Sequence, residues 1–119
     1  MAARITRADA APPYSPPLHS GVEARRLQGL EAGSTERFWV GLSTYPPGAA
    51  AELAPTAQET VYVVLDGELE LAVPAEGVRE TLRAGDSVHL PQGTVRSVTN
   101  VSGAEARLLV ILATPGGPR

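Results

Sequence analysis

The sequence predicts an all-β fold class, a barrel or sandwich built from short strands. Two features of its 119 residues support this. Runs of β-branched and aliphatic residues alternate with glycine- and proline-rich turns at roughly every eight to twelve positions, which gives about eight or nine strands. In addition, no segment shows the apolar repeat of an amphipathic helix. A chain of this length supports one hydrophobic core, so we expect a single domain.

The chain begins with a proline-rich leader at residues 1–20. Its prolines exclude helix and central strand from most of the segment; they are Pro12, Pro13, Pro16 and Pro17. We expect disorder in the first ten residues. Tyr14, Leu18 and His19 are unusual in a purely solvated tail. Residues 14–20 therefore either stay disordered with the rest of the leader or pack along the barrel or onto a second subunit.

The barrel is predicted at residues 21–114, followed by a frayed tail at 115–119. Residues 49–59 form a loop or a weak strand. In the strand at 36–45, Phe38, Val40 and Leu42 share one face, and Trp39 and Ser43 share the other. The predicted strands are 22–27, 36–45, 60–65, 68–73, 79–83, 87–90, 94–101 and 106–113.

Three turns punctuate the second half of the chain. Asp66 and Gly67 are a strong signal for a two-residue hairpin between the strands on either side. Gly85 with the following aspartate ends another strand in a tight turn. Pro91 and Gly93 then fit the first central and left-handed positions of a turn, so 94–101 is expected to return as the partner of 87–90.

Composition excludes several classes of function. The absence of cysteine excludes disulfides, thiolate catalysis and zinc sites of the cysteine type. The absence of lysine excludes Schiff-base chemistry on a lysine side chain. A formal charge of -3 argues against a nucleic-acid partner, and no apolar run is long enough to span a membrane. Residues 1–11 lack the apolar segment of a secretory signal, so a cytoplasmic, bacterial protein is expected.

Residues 85–100, GDSVHLPQGTVRSVTN, resemble a known family. Their spacing is similar to G-x5-P-x-G-x2-H-x3-N, the second motif of the cupin family, which is matched at Gly85, Pro91, Gly93 and Asn100. The stretch from Gly48 to Gly67 resembles the first motif, G-x5-H-x-H-x3-4-E-x6-G. The resemblance covers about residues 37–112 and implies a double-stranded β-helix, a small jelly-roll barrel whose site lies inside its mouth.

The same resemblance places the family's metal ligands at Ala54, Thr56, Thr60 and Arg96. None of these is the imidazole or carboxylate that transition metals require, and a guanidinium repels a cation. No metal and no other cofactor is therefore expected. An alternative is a displaced metal site formed by His19, His89 and Glu59, which would leave a metal-dependent dioxygenase or isomerase.

Arg96 is predicted to point into the barrel together with Val98 and Asn100. A buried guanidinium is costly unless it is paired. One partner is an internal carboxylate, Glu59 or Glu52. The other is a substrate carboxylate, phosphate or enolate, which suits bidentate geometry. Asn100 is an expected substrate-binding neighbour of Arg96.

Strand parity decides which proton-transfer group enters the barrel. If Thr60 faces inward, Tyr62 also faces inward and Glu59 faces out. Tyr62 is then the internal acid or a plain core aromatic, with Thr56 and Thr60 as hydroxyl partners for a substrate. If the loop bulges by one residue, Glu59 enters instead as a general base.

Two further residues have open roles. His89 is either a packed or rim histidine or a partner in proton transfer. Trp39 either lines the barrel mouth and contacts substrate or belongs to the core or to a dimer interface. Exposed edge strands and an apolar leader predict a homodimer.

The functional hypothesis is a metal-independent barrel that binds a small anionic or carbonyl-bearing molecule. Such a cavity could catalyse proton transfer without a cofactor, in an isomerisation, cyclisation or lyase reaction. Tyr62, Glu59 and His89 are the candidate catalytic residues. A non-catalytic ligand-binding or accessory protein is the alternative from a different class.

Overall fold

A computed structural model describes residues 3–115. Of the predicted tail at 115–119, residues 116–119 lie outside the described residues. The all-β prediction is confirmed: eleven strands and three short 3-10 turns, at Ala8–Ala10, Leu30–Ala32 and Pro74–Glu76, form the described chain. The strands are β1 (Pro13–Tyr14), β2 (His19–Ser20), β3 (Glu23–Gln28), β4 (Phe38–Tyr45), β5 (Ala50–Pro55), β6 (Thr60–Asp66), β7 (Glu68–Val73), β8 (Val78–Arg83), β9 (Ser87–Leu90), β10 (Val95–Thr99) and β11 (Ala106–Ala113).

The strands form two antiparallel sheets that enclose the core between them. One sheet has the order β1-β3-β4-β11-β6-β9, and the other has the order β2-β5-β10-β7-β8. Alternate residues along the central strands point into the space between the sheets. Val64, Leu69 and Leu108 are among the most deeply buried of these. This arrangement is the jelly-roll barrel that the two motifs imply.

The leader is part of both sheets. Tyr14 pairs with Ala24 on β3, and five residues later His19 pairs with Ala51 on β5 in the other sheet. Residues 15–18 therefore cross from one sheet to the other along the barrel. Earlier in the leader, where disorder was expected, residues 8–10 form a 3-10 turn and Gln28 Nε2 donates a hydrogen bond of 3.3 Å to Arg4 O.

Two predicted strand pairings are wrong. Asp66 and Gly67 do not close a hairpin, because β6 and β7 belong to different sheets. Gly67 has φ 75°, and an added Cβ would lie 2.6 Å from the main-chain oxygen of Glu105, so the chain turns a corner against the start of β11. Likewise β9 pairs with β6, whereas β10 pairs with β5 and β7. Turn residues identify a change of direction, but they do not distinguish a hairpin from a sheet-to-sheet corner.

Among residues 3–115, no helix has the length and apolar content needed to cross a membrane.

Candidate functional site

A cavity of about 750 Å³ is lined by residues of both sheets and of the leader. Its size lies within the range of small-molecule sites in proteins. Five residues to which the sequence assigned a catalytic or substrate-binding role lie along its wall: Trp39, Thr56, Thr60, Tyr62 and Arg96.

Arg96 and Tyr62 form a buried pair on facing strands. Arg96 is 8 % exposed and Tyr62 is 6 % exposed. Arg96 Nε donates a hydrogen bond of 3.0 Å to Tyr62 Oη, and Arg96 Nη1 donates to Glu52 O at 3.1 Å and more weakly to Ala54 O at 3.5 Å. Because Tyr62 Oη accepts from the guanidinium, its own hydrogen is free to point elsewhere.

The internal carboxylate expected beside Arg96 is not there. None of the ion pairs formed by the described residues includes Arg96, and Glu52 contacts it only through its main-chain oxygen. Arg96 Nη2 has no hydrogen-bond partner among the described residues. Every fully buried side-chain nitrogen or oxygen among the described residues has a hydrogen-bond partner. Because Nη2 has none, it is not fully buried, and it is open to the cavity that Arg96 lines. A guanidinium edge is thus available to a ligand.

Glu59 and His89 lie outside the barrel. Thr60 is buried, Tyr62 two residues later is buried, and Glu59 is exposed, which resolves the parity alternative in favour of Tyr62. His89 Nε2 lies 2.6 Å from Glu59 Oε2, and both side chains are more than half exposed. The two residues therefore form a surface pair, and neither lines the cavity in which they were expected to act.

Asn100 was expected to bind substrate, but its side chain instead holds a loop of the barrel. Its side chain is 1 % exposed, and it does not line the cavity. Asn100 Nδ2 donates to Tyr45 O at 2.7 Å and to Ala104 O at 2.8 Å, while Oδ1 accepts from Ser102 N at 2.9 Å. These bonds hold the loop between β10 and β11 and leave no free donor for a substrate.

The two threonines line the cavity, but their hydroxyl hydrogens are occupied. Thr56 Oγ1 donates to Pro91 O at 2.9 Å, and Thr60 Oγ1 donates to Gln58 O at 2.9 Å. Each hydroxyl can still accept a hydrogen bond. Their contribution to a ligand is therefore limited to acceptor lone pairs.

A second arginine lies in the cavity and was missed by the sequence analysis. The Arg26 guanidinium carbon lies 3.6 Å from the centre of the Tyr14 ring and 4.2 Å from that of the Trp39 ring. Arg26 Nε also donates to Glu31 Oε1 at 2.9 Å. This hydrogen bond lowers the pKa of Glu31, so the carboxyl is ionised at neutral pH. Ala24 and Arg26 are both buried, and their spacing of two residues along β3, which places them on one face, is the signal that could have revealed it.

His19 also lines the cavity. Its Nδ1 lies 2.8 Å from Pro17 O. Burial lowers the pKa of His19 and the Arg96 charge lowers it further, while the Pro17 carbonyl and Glu52 oppose the shift. The sequence analysis considered His19 only as part of a displaced metal site, because the pairing of β2 with β5 that brings it to the barrel is not visible in the sequence.

Two further tyrosines, Tyr14 and Tyr45, line the cavity. Burial raises the pKa of Tyr45 far above its ordinary value. Burial also raises the pKa of Tyr14, against the opposing effect of the Arg26 charge. Both phenols remain protonated at neutral pH and can donate hydrogen bonds.

The donor set does not fit the metal centre that the resemblance raises. Among residues 3–115, no three histidine, cysteine, aspartate or glutamate side chains lie close enough to share a metal ion. His19 lines the cavity, whereas His89 and Glu59 form the external pair, so the displaced site is not assembled.

Comparisons with known proteins agree with this architecture. The chain is 55 % identical over 112 residues to a Mycobacterium tuberculosis protein named Beta-D-galactosidase Rv1717, and the alignment covers 94 % of this chain and 95 % of that protein. The structure of the polyketide cyclase RemF from Streptomyces resistomycificus matches with a TM-score of 0.82 at 22 % identity, covering 99 % of this chain and 83 % of that one. An RmlC-like cupin from Shewanella frigidimarina matches with a TM-score of 0.75 at 17 % identity, covering 96 % and 93 % of the two chains.

The two structural matches share the fold and, at such low identity, only the fold. The family model for the cupin domain matches residues 41–112, which contain both sequence motifs and most of the barrel. The chain therefore belongs to the cupin family.

Proposed function

We propose that this chain binds a β-D-galactoside in its barrel cavity and hydrolyses the glycosidic bond. The observation that carries the proposal is the 55 % identity, over nearly the full length of both chains, to the mycobacterial protein named a beta-D-galactosidase. The proposal departs from the hypothesis drawn from the sequence, which was a small anionic or carbonyl-bearing molecule undergoing isomerisation, cyclisation or lyase chemistry, because a galactoside is neutral and its hydrolysis is none of these reactions.

The cavity wall supports a sugar ligand. Trp39 and Tyr14 line the wall with aromatic rings that meet edge to face with centroids 5.6 Å apart, and each ring has one face stacked on the Arg26 guanidinium. Tyr45 and Tyr62 bring hydroxyl groups, and Arg96 Nη2 brings a charged donor. A few polar groups set in an apolar wall are the usual composition of a pocket that orients a small polar ligand.

Tyr62 is the candidate acid for departure of the aglycone. Its hydrogen is not used by Arg96, so it can be transferred to the glycosidic oxygen as the bond to the anomeric carbon breaks. The Arg96 guanidinium, 3.0 Å away, stabilises the negative charge that then develops on the tyrosine oxygen. Arg96 thereby assists the acid and leaves Nη2 for a substrate hydroxyl.

This arrangement differs from the usual two-carboxylate glycosidase. Among the described residues that line the cavity, Glu31 is the single carboxylate, and it is bound to Arg26. In the mechanism proposed here the Tyr62 hydroxyl is the acid, in the role that a carboxylic acid has in the usual glycosidase. It predicts that replacing Tyr62 is more harmful than replacing Glu59 or His89 outside the barrel.

Hydrolysis of 4-nitrophenyl β-D-galactoside tests the proposal, with the α-anomer and the β-glucoside as substrate controls. The protein should be produced in a host that lacks its own β-galactosidase. We expect the wild-type protein to turn over this β-galactoside. Because 4-nitrophenolate leaves with little help from an acid, the loss of about 10²- to 10⁴-fold in kcat for Tyr62→Phe is expected with lactose, whose aglycone is a poor leaving group. Glu59→Gln is the matched control and should leave kcat unchanged. Wild-type protein that turns over neither substrate would refute the proposal, whereas equal turnover of lactose by wild type and Tyr62→Phe would remove Tyr62 from the mechanism.

A second candidate function is favoured by the charge of the cavity. It holds two guanidiniums, Arg26 and Arg96, and one carboxylate in a chain whose formal charge is -3. A small anionic or carbonyl-bearing ligand would satisfy Arg96 Nη2, and the Tyr62 hydroxyl could then catalyse proton transfer in an isomerisation, cyclisation or lyase reaction. A non-catalytic protein with the same ligand preference is the corresponding binding function.

A thermal-shift panel of small carboxylates and phosphates separates this candidate from galactoside hydrolysis. If the second candidate is right, an anionic ligand should raise the Tm of the wild-type protein and should not raise the Tm of Arg96→Met. The exposed Arg79 pairs with Glu70 on the outer surface, so Arg79→Met is the matched control. A panel with no response, together with galactoside turnover, would eliminate the second candidate.

The homodimer stays a prediction. It is supported by apolar side chains left exposed at Phe38 and Leu65 and by the edge strands at the ends of both sheets. Sedimentation equilibrium of the purified chain would decide it, and a single species of 12.4 kDa would contradict it.

A further inference from the structure

Hydrolysis needs a base to activate water as well as an acid for the leaving group. The sequence suggested Glu59 or His89 for proton transfer, and both lie on the outer surface. Resting on the proposed galactosidase function, we propose that His19, carried into the cavity by the leader, is the general base that activates the attacking water.

The hydrogen bond to Pro17 fixes the tautomer of His19. A carbonyl oxygen only accepts, so His19 Nδ1, 2.8 Å from Pro17 O, carries the ring hydrogen. His19 Nε2 then has the lone pair and has no hydrogen-bond partner among the described residues. A histidine with one nitrogen held by a carbonyl and the other free is arranged to accept a proton.

The backbone around His19 holds the ring in place at an energetic cost. Leu18 has φ 57°, a left-handed conformation that a leucine adopts only with strain. Leu18 is also 57 % exposed, so burial of its side chain does not offset that strain. Glu52 N donates to Leu18 O at 2.8 Å, which fixes the turn just before His19 pairs with Ala51. Strain of this kind is concentrated at functional positions.

The surroundings keep the ring neutral. Burial lowers the pKa of His19, and the positive charge of Arg96 on β10 lowers it further; the Pro17 carbonyl and Glu52 on β5 act in the opposite direction, with a smaller combined effect. Arg96 and Glu52 are the charged groups that act on this ring. The ring is therefore unprotonated at neutral pH, which is the form that a base requires.

The reaction balances with the residues present. His19 Nε2 accepts a proton from water, and the water oxygen forms a bond to the anomeric carbon. The bond from that carbon to the aglycone oxygen breaks, and the aglycone oxygen takes the Tyr62 hydrogen. The products are galactose and the free aglycone. The histidinium and the phenolate return to their starting states by exchanging one proton through solvent.

Glu31 is less suited to this role. Its carboxylate accepts a hydrogen bond of 2.9 Å from Arg26 Nε, and the side chain is 46 % exposed. Ion pairing stabilises the carboxylate and weakens it as a base. His19 has no comparable ion pair among the described residues, and the charges that act on it are those of Glu52 and of Arg96, the partner of Tyr62.

The test compares the two histidines of the chain. His19→Gln is expected to lower kcat for 4-nitrophenyl β-D-galactoside by about 10²- to 10⁴-fold with little change in KM. His89→Gln is the matched control and should retain wild-type kinetics. Wild-type activity should rise with pH through a value below 6.5, and His19→Gln should lose that acidic limb. Added imidazole should restore part of the activity to His19→Gln and none to Tyr62→Phe.

Each outcome decides the inference. Wild-type turnover with unchanged kcat and pH profile in His19→Gln overturns the role of His19 and leaves the galactosidase function standing. The same holds if Glu31→Gln, and not His19→Gln, loses the acidic limb. Wild-type protein without turnover overturns both proposals. If the melting curve shows that His19→Gln is unfolded, His19→Asn, whose amide can also donate to Pro17 O, is measured in its place and judged by the same criteria.

Discussion

Replacing Asn100 by alanine should destabilise the barrel and leave the chemistry intact. The side chain makes four hydrogen bonds, to Tyr45 O, Ala104 O, Ser102 N and Ser102 Oγ, at distances between 2.7 and 2.9 Å. A typical intramolecular hydrogen bond contributes about 1 kcal/mol net, so the loss is about 3–4 kcal/mol. For a domain of this size the corresponding decrease in Tm is roughly 10–20 °C.

Urea denaturation followed by the fluorescence of Trp39, the single tryptophan, measures this change. Ser102→Ala is the graded control, because it removes only the hydroxyl bonds to Asn100 and Ala104, at a half-buried residue, and should cost about 1 kcal/mol. The reasoning is refuted if Asn100→Ala has wild-type stability and a raised KM. That result would mean that Asn100 contacts the ligand, as the sequence alone suggested.

Three further predictions follow from the geometry. Arg96→Met should change the unfolding free energy by less than about 2 kcal/mol. The variant loses about 3–6 kcal/mol of charged hydrogen bonds, but it also removes a buried cation, which costs several kcal/mol. A loss above about 4 kcal/mol in urea denaturation would mean that the role of Arg96 is structural. Gly67→Ala should cost about 2 kcal/mol or more, because φ is 75° and the new Cβ meets Glu105 O, and a neutral result in the same measurement would contradict that corner. Arg26 lowers the pKa of Glu31, so the contribution of this pair to the unfolding free energy is fully present above pH 4.5 and is lost as the pH falls. Glu31→Gln should therefore flatten the plot of unfolding free energy against pH below pH 4.5. An unchanged plot would contradict the pairing.

The strands of the barrel could be predicted because their signals are local. The bounds predicted for 68–73, 87–90 and 106–113 match β7, β9 and β11. Alternation and turn residues mark such segments wherever they pair. The partners were harder to predict: Gly67 is a corner and not a hairpin because β11 lies against it, and that contact joins residues nearly forty positions apart.

For the site, too, local patterns could be predicted from the sequence and long-range contacts could not. The inward position of Tyr62 follows from period-two alternation once Thr60 is placed inside, and the structure agrees. Arg26 and His19 could not be placed by such counting. Arg26 is held by ring faces of the leader and β4, and His19 enters by the pairing of a two-residue strand with β5. Both depend on where the leader runs, which its prolines leave undetermined.

The two cavity arginines are held in different ways, and the difference bears on function. Arg26 is paired with Glu31 and covered by the Tyr14 and Trp39 rings, so its charge is compensated within the chain. Arg96 is held by neutral oxygens alone and has a nitrogen open to the cavity. A buried cation without a carboxylate does not maximise stability, and arrangements that sacrifice stability are concentrated where a ligand or a reaction uses them. Arg96, beside Tyr62 and near His19, is therefore the position from which catalysis in this barrel should be tested first.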